Sequence, residues 1–297
     1  GVLTRTDAQV GRKRELRESA VAQLAGELGL RVIKANVVDD HTNDELAKLD
    51  AELGLVVAYG AFLKRQTLGI PAHGWINIHF SLLPELRGAA PVQRAIIQGL
   101  RETGVSIFKL DEGMDTGPIL AQMPIQPLEN ETTGEALQRF TVAGIDLFLD
   151  AAGKFPVAKP QVGDATYAPK LDRQSARLGL GLNALEVHRA VMAFNPEPMA
   201  WCELNGSPVR ILESRSMGKS SWVQDAQKPG RVTKSAERIF SLLFSTPMAS
   251  ISSAPSRIPA VSMSRNKIPS MFNTSSIVSL VVPAIELTIA RFSFKRE

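Results

Sequence analysis

The chain has 297 residues, 44% apolar and 22% charged, a balance that supports two packed domains and excludes a chain disordered or low in complexity throughout. One cysteine, Cys202, and four histidines without metal-ligand spacing exclude an internal disulfide and a thiolate metal cluster, so no metal is expected. The net charge of +4 suits an anionic partner; with no apolar run of transmembrane length and no signal-peptide pattern, no membrane partner is expected and the expected location is cytoplasmic.

Residues 1–4 read as the end of a buried strand that runs into a basic loop crowded with Arg12, Lys13, Arg14 and Arg17. Apolar residues recur at helical spacing over 20–28, where Gly29 is a natural stop. A strand over 31–35, a helix over 43–52 and a buried strand over 55–59, ended by Gly60, follow. Strands alternating with helices at this interval predict an α/β fold with a doubly wound, mostly parallel sheet.

The run from Trp75 to His79 is a further strand, and Pro84 denies it any continuation. Successive strand side chains alternate, so Asn77 and His79 share one face and Ile76 and Ile78 the other. Two polar groups near the end of an apolar strand need partners or a purpose. On spacing alone, a histidine there is more often a satisfied structural group than a catalyst. In open α/β sheets, however, ligands sit at the C-terminal ends of the strands. A helix through Ile97, a strand over 105–110, an acidic turn containing Asp115, a strand over 119–125 and a helix over 133–152 complete the unit. Alone, Asp115-Thr116-Gly117 is ordinary turn chemistry.

The whole string is more specific. Asn77-Ile78-His79, Ser81-Leu82-Leu83-Pro84, Arg87-Gly88-Ala89-Ala90-Pro91 and Asp115-Thr116-Gly117, in this order and spacing, resemble the 10-formyltetrahydrofolate formyltransferases. Phe194-Asn195-Pro196-Glu197-Pro198-Met199-Ala200-Trp201 resembles the signature of the branch that acts on methionyl-tRNA. The resemblance implies a Rossmann-like domain in which Asn77, His79 and Asp115 are catalytic and the loop of Ser81, Leu82, Leu83 and Pro84 lines the folate site. It also implies 10-formyltetrahydrofolate as formyl donor, initiator methionyl-tRNA as acceptor, and a grip on that tRNA by the loop of Arg12, Lys13 and Arg14. A monomer is expected. The chemistry suits these residue types: an amide stabilises an oxyanion without changing charge, an imidazole exchanges protons near neutrality, and a carboxylate orients the ring and favours its protonated form. Phe80 departs from the small residue that many members of the family place there. Gly11-Arg12-Lys13-Arg14-Glu15 departs from the family's Gly-Arg-Gly-Lys-Lys pattern.

The resemblance further implies a strand, a glycine turn and a helix ahead of the first residue given, so the expected catalytic domain, 1–153, lacks its first strand and helix. That strand is central in the Rossmann order, between the second and fourth, so a gap with unpaired backbone is expected there. Prolines then indicate an extended linker over 154–174, a solvated hinge or a track of lysines for phosphates. The remainder, 175–297, is expected to be a smaller OB-like β-barrel domain that contacts tRNA. It opens with a helix over 185–194 and two strands, 201–204 and 208–212, joined by Asn205-Gly206, with Trp201 in the core. Over 239–297 the resemblance ends: residues 241–297 hold 13 serines and five prolines, which indicates divergence or disorder, with strands expected only within 277–294. The alternatives are another 10-formyltetrahydrofolate-dependent formyltransferase, acting on an amino sugar or a purine precursor, and an inactive fragment.

Overall fold

The computed structural model describes residues 1–214, apart from 12, 155, 180 and 205, together with the backbone of 277–281. In chain order the elements are β1 (Val2–Thr4), β2 (Ala8–Val10), β3 (Glu15–Arg17), α1 (Ala20–Glu27), β4 (Val32–Lys34), α2 (Asp40–Ala47), β5 (Leu53–Val57), α3 (Arg65–Leu68), β6 (Trp75–His79), α4 (Pro91–Gln98), β7 (Thr103–Lys109), β8 (Ile119–Ile125), α5 (Thr133–Lys154), α6 (Ala184–Phe194), β9 (Trp201–Leu204), β10 (Ser207–Arg210) and β11 (Ile277–Val281).

Local chemistry fixes several of these boundaries. The helix expected over 43–52 is α2, which starts earlier because Asp39 caps it, its carboxylate accepting from the Thr42 amide (2.8 Å) and hydroxyl (2.6 Å). It stops before Asp50, which adopts a left-handed φ of 46°. The strand expected over 55–59 lies two residues earlier, as β5, and gives way at Ala58, φ 49°. Reciprocal bonds between Thr132 and Glu135 open α5, and Asn183 with Glu186 form a capping box on α6. The basic segment is not a loop but the hairpin of β2 and β3, with Lys13 and Arg14 exposed at its turn. Arg14 donates to Gln9 at 2.7 Å; Arg12 lies outside the described residues.

Among the described residues the main sheet runs β4-β1-β11-β5-β6-β7-β8. The first five strands are parallel, and β7 and β8 are antiparallel to their neighbours. One face packs Ile76, Ile78, Val105 and Ile107 against Phe140 and Phe148 of α5; the other buries Leu3, Val56 and Trp75 under Leu46 of α2. Gly54 serves this second face, because a Cβ there would lie 2.1 Å from the Trp75 ring. Phe80 fills space beside α5, its ring edge-on to Phe140 at 6.2 Å. Among the described residues, no helix is long and apolar enough to cross a membrane.

The gap expected between β1 and β5 is filled. β11 pairs with both, Val2 opposite Ser279 and Leu55 opposite Ser279 on the other side. Two flanking strands otherwise present unpaired N–H and C=O groups to one another, and an extended segment satisfies both rows at once. The tail expected to be divergent thus contributes a strand within 277–294. The rest of the tail, and the strands that would close an OB-like barrel, lie outside the described residues. Of the C-terminal unit, α6 packs through Val191 and Phe194 onto Ile96 and Ile97 of α4, beside the β9–β10 hairpin.

The segment expected to be a linker is extended but is not a free hinge. Lys159 exchanges backbone bonds with Ile119 at 2.8 and 2.7 Å, and Ala168 with Arg87 and Ala90 at 2.7 and 3.0 Å. It straps the loop after β6 to the start of β8. Farther along, Arg173 and Arg177 flank the half-buried Trp201 ring at 5.4 and 5.6 Å.

Candidate active site

Asn77 and His79 project from the same face of β6, as the alternation requires. Two chain segments fold over that face from opposite ends. The loop after His79 comes from one end. The turn between β7 and β8 comes from the other, because β7 is antiparallel and its last residue, Lys109, stands opposite Ile76.

The loop after β6 is held from within. The Ser106 hydroxyl donates to the Ser81 carbonyl at 2.6 Å and accepts from the Leu83 amide at 3.0 Å; Gln122 donates to that hydroxyl and to the Leu83 carbonyl, both at 2.9 Å. Ser81 itself donates to the Glu85 carbonyl at 2.5 Å. The side chains of Ser81, Leu83 and Pro84 are buried, while Leu82 is half-buried. The backbone carbonyls of Ser81, Leu82, Leu83 and Pro84 are all engaged within the protein, so the loop is rigid before any ligand arrives.

The turn is wound by Asp111, whose carboxylate accepts from the Gly113 amide (3.0 Å) and the Thr116 hydroxyl (2.6 Å). Gly117 lets it close, since a Cβ there would fall 1.8 Å from the Lys109 carbonyl oxygen. This winding puts Asp115 at φ 53°, in the left-handed region, with its Oδ2 accepting from the Gly88 amide at 2.7 Å. The same Oδ2 lies 3.8 Å from His79 Nδ1.

His79 is 6% exposed. Its Nε2 meets the Leu86 carbonyl at 3.0 Å; a carbonyl only accepts, so the proton sits on Nε2 and Nδ1 carries a lone pair. At 3.8 Å from the carboxylate, Nδ1 is beyond hydrogen-bond range. Burial pushes the imidazole pKa below its ordinary value; the Asp115 carboxylate and the Leu86 carbonyl oppose this in part. Phe108 stands edge-on to the ring at 6.3 Å. Asn77 is half-buried, and among the described residues its amide has no hydrogen-bond partner.

The structure thus brings His79, Asp115 and the 81–84 loop together, with Asn77 two residues along the same strand. The hairpin carrying Lys13 and Arg14 leaves β1 at the same sheet edge as His79, three strand positions from β6, or about 14 Å at the spacing of neighbouring strands. Sequence reasoning missed Ser106, Gln122 and Gln161, whose partners are remote in the chain; no local pattern marks them.

Comparison with known proteins agrees with this architecture. A family model described as "Formyl transferase" matches residues 1–152, and one described as "Formyl transferase, C-terminal domain" matches 170–246. A methionyl-tRNA formyltransferase of Paenarthrobacter aurescens (strain TC1) is 44% identical over 216 residues, 71% of this chain and 70% of that protein. One from Leifsonia xyli subsp. xyli is 38% identical over 258 residues, 86% of this chain and 84% of that protein. Among solved structures, methionyl-tRNA formyltransferase from Clostridium thermocellum superposes with a TM-score of 0.54 at 17% identity, over 73% of this chain and 94% of that one. HypX from Aquifex aeolicus in complex with tetrahydrofolic acid gives 0.55 at 19% identity, over 78% and 40%; at such identities the likeness is one of fold. With the first family model spanning more than half the chain and relatives 38–44% identical over most of it, the chain belongs to the formyl transferase family.

Proposed function

We propose that this chain transfers a formyl group from 10-formyltetrahydrofolate to the amino group of the methionyl moiety on initiator tRNA. The observation that carries the chemistry is the state of His79: Nε2–H is committed to the Leu86 carbonyl, and Nδ1 faces Asp115 without being bonded to it. A neutral, buried imidazole with one unengaged lone pair is a general base for an incoming amine. Once protonated at Nδ1, the ring is stabilised by the Asp115 carboxylate, and it returns that proton to the folate nitrogen as the bond between that nitrogen and the formyl carbon breaks. Asn77 adds an amide donor for the oxygen that becomes negative when an amine adds to a formyl carbon.

The groups present fit a formyl donor, an amide N–H for the carbonyl oxygen and an imidazole for the amine proton. The donor supplies an activated formyl group, and the family resemblance makes the rigid loop of Ser81, Leu82, Leu83 and Pro84 the segment that would hold it. Support for the tRNA acceptor comes from the relatives' names, from the Phe194 to Trp201 string, and from the exposed basic hairpin with Lys13 and Arg14.

The test is formyl transfer by the purified chain from 10-formyltetrahydrofolate to methionylated initiator tRNA, beside His79→Ala. The expected result is turnover that falls at least about a hundredfold in the variant while tRNA binding is largely kept. Transfer to an amino sugar but not to methionyl-tRNA would overturn the acceptor, and a folded chain without turnover would overturn the activity.

A further inference from the structure

The strap between the two units meets the catalytic segments through one side chain in particular. The Gln161 amide nitrogen donates to the Asp115 and Gly117 carbonyls, both at 2.8 Å, and its oxygen accepts from Arg87 Nε at 3.1 Å and Nη2 at 2.6 Å. Both protons and both lone pairs of the amide are used. Its orientation is unambiguous, because the reverse would aim N–H at a guanidinium and oxygen at two carbonyls.

The partners are the two pieces that carry the reacting groups. Asp115 holds a left-handed φ of 53°, an uncommon conformation for a non-glycine residue. Arg87 precedes Gly88, whose amide binds the Asp115 carboxylate, and follows Leu86, whose carbonyl binds His79 Nε2. Gln161 therefore ties the backbone of the Asp115 turn to the residue lying between the two anchors of the site. The strap on which it sits is itself fixed at both ends, at Ile119 through Lys159 and at Leu86 through the Thr166 hydroxyl (2.8 Å).

We propose that Gln161 is a positioning residue: by bridging Arg87 to the Asp115 and Gly117 carbonyls, it sets the distance between the Asp115 carboxylate and the His79 ring. The proposal rests on the catalytic reading of His79 and Asp115 given above. Among the described residues Asp115 is the charged group facing the His79 ring; the Leu86 carbonyl and the Phe108 ring are its other neighbours. A turn that drifts away takes with it the influence that raises the imidazole pKa and leaves burial to lower it further.

Two variants separate positioning from folding. Gln161→Met keeps the length of the side chain and removes every hydrogen bond. Gln161→Glu keeps the acceptor for Arg87 and replaces the donor to Asp115 and Gly117. Both are expected to lower kcat about 10- to 100-fold with KM for donor and acceptor nearly unchanged, and with a melting temperature close to that of the parent. In NMR titrations of the His79 imidazole, which need no substrate, Gln161→Met is expected to titrate at lower pH than the parent, in the direction given by Asp115→Asn; the carboxylate added by Gln161→Glu pulls the opposite way, so that variant is read by kcat against melting temperature. An unmoved His79 titration in Gln161→Met, with Asp115→Asn moving it, overturns the proposal; so does a loss of kcat that merely follows a fall in melting temperature. Absence of formyl transfer by the parent would defeat the functional reading, and the titration would still decide Gln161.

Discussion

Replacing Asp115 by Asn isolates the charge at the centre of this site. The Asn side chain keeps an oxygen to accept from Gly88 and nearly the same shape, so the turn is retained. What is lost is the attraction between the carboxylate and the imidazolium that forms on proton uptake, across 3.8 Å. Two unit charges at that separation attract by about 4 kcal/mol at an effective dielectric constant of about 20. The Asp115 side chain is 16% exposed and shares its charge with the Gly88 amide, so about half that energy, ~2 kcal/mol, is a fair lower figure. These limits correspond to a loss in kcat of about 30- to 1,000-fold. Single-turnover formyl transfer, with melting temperature as the control for folding, measures it. With Asp115 gone its upward pull on the His79 pKa goes too, so the acid limb of the rate profile should move to lower pH. A kcat within about threefold of the parent would refute the argument, because no direct electrostatic role fits so small an effect.

Stability should also depend on His79. Its pKa is lowered in the folded chain, chiefly by burial, so as pH falls below about 6.5 the unfolded state takes up a proton that the folded state does not. The contribution is intact above that pH and is lost as pH falls toward the folded value. Urea unfolding above and below it should show a shallower fall in His79→Gln, and equal slopes in the two proteins would count against a neutral buried ring. Gly54→Ala would place a methyl group 2.1 Å from a carbon of the Trp75 ring, costing about 3 kcal/mol in equilibrium denaturation; a cost under about 0.5 kcal/mol would show that the ring has room. Ser279→Pro removes an N–H from a strand paired on both sides and should cost about 3 kcal/mol or more, with faster amide exchange in β1 and β5; unchanged exchange would contradict the position of β11.

Elements set by local chemistry were legible in the sequence. The alternation in Trp75–His79 gave the face shared by Asn77 and His79, Gly29 marked the end of α1, and Asn205-Gly206 marked the β9–β10 hairpin. The misses have a common cause. The early start of α2 depends on one cap, Asp39, that outweighed a weak apolar pattern. The described residues of the hairpin at Lys13 and Arg14 are all exposed, so no alternation of burial announced it. β11 falls inside the 277–294 stretch where strands were expected, but its place in the sheet was not legible: it lies more than 200 residues from β5 in the chain, and the vacancy it fills between two other strands is contained in no local window.

The same distinction applies within the site. The candidate residues were named through the family resemblance of their motifs, but the geometry that brings them together is made by partners far along the chain. Since β6 and β7 are antiparallel, the segments bearing His79 and Asp115 leave the sheet at opposite ends and must be drawn back over one face. Three contacts do this: Leu86 on the His79 ring, Gly88 on the Asp115 carboxylate, and Gln161 on the backbone of the turn. Two are backbone groups, indifferent to residue type apart from what the chain conformation requires. Gly88, at φ 122° and with a Cβ position 2.7 Å from the Ala168 carbonyl oxygen, shows that requirement. The strap that needs Gly88 to be small is also the strap that carries Gln161, so on the proposed reading the connection between the two units helps to set the distance between the Asp115 carboxylate and the His79 ring.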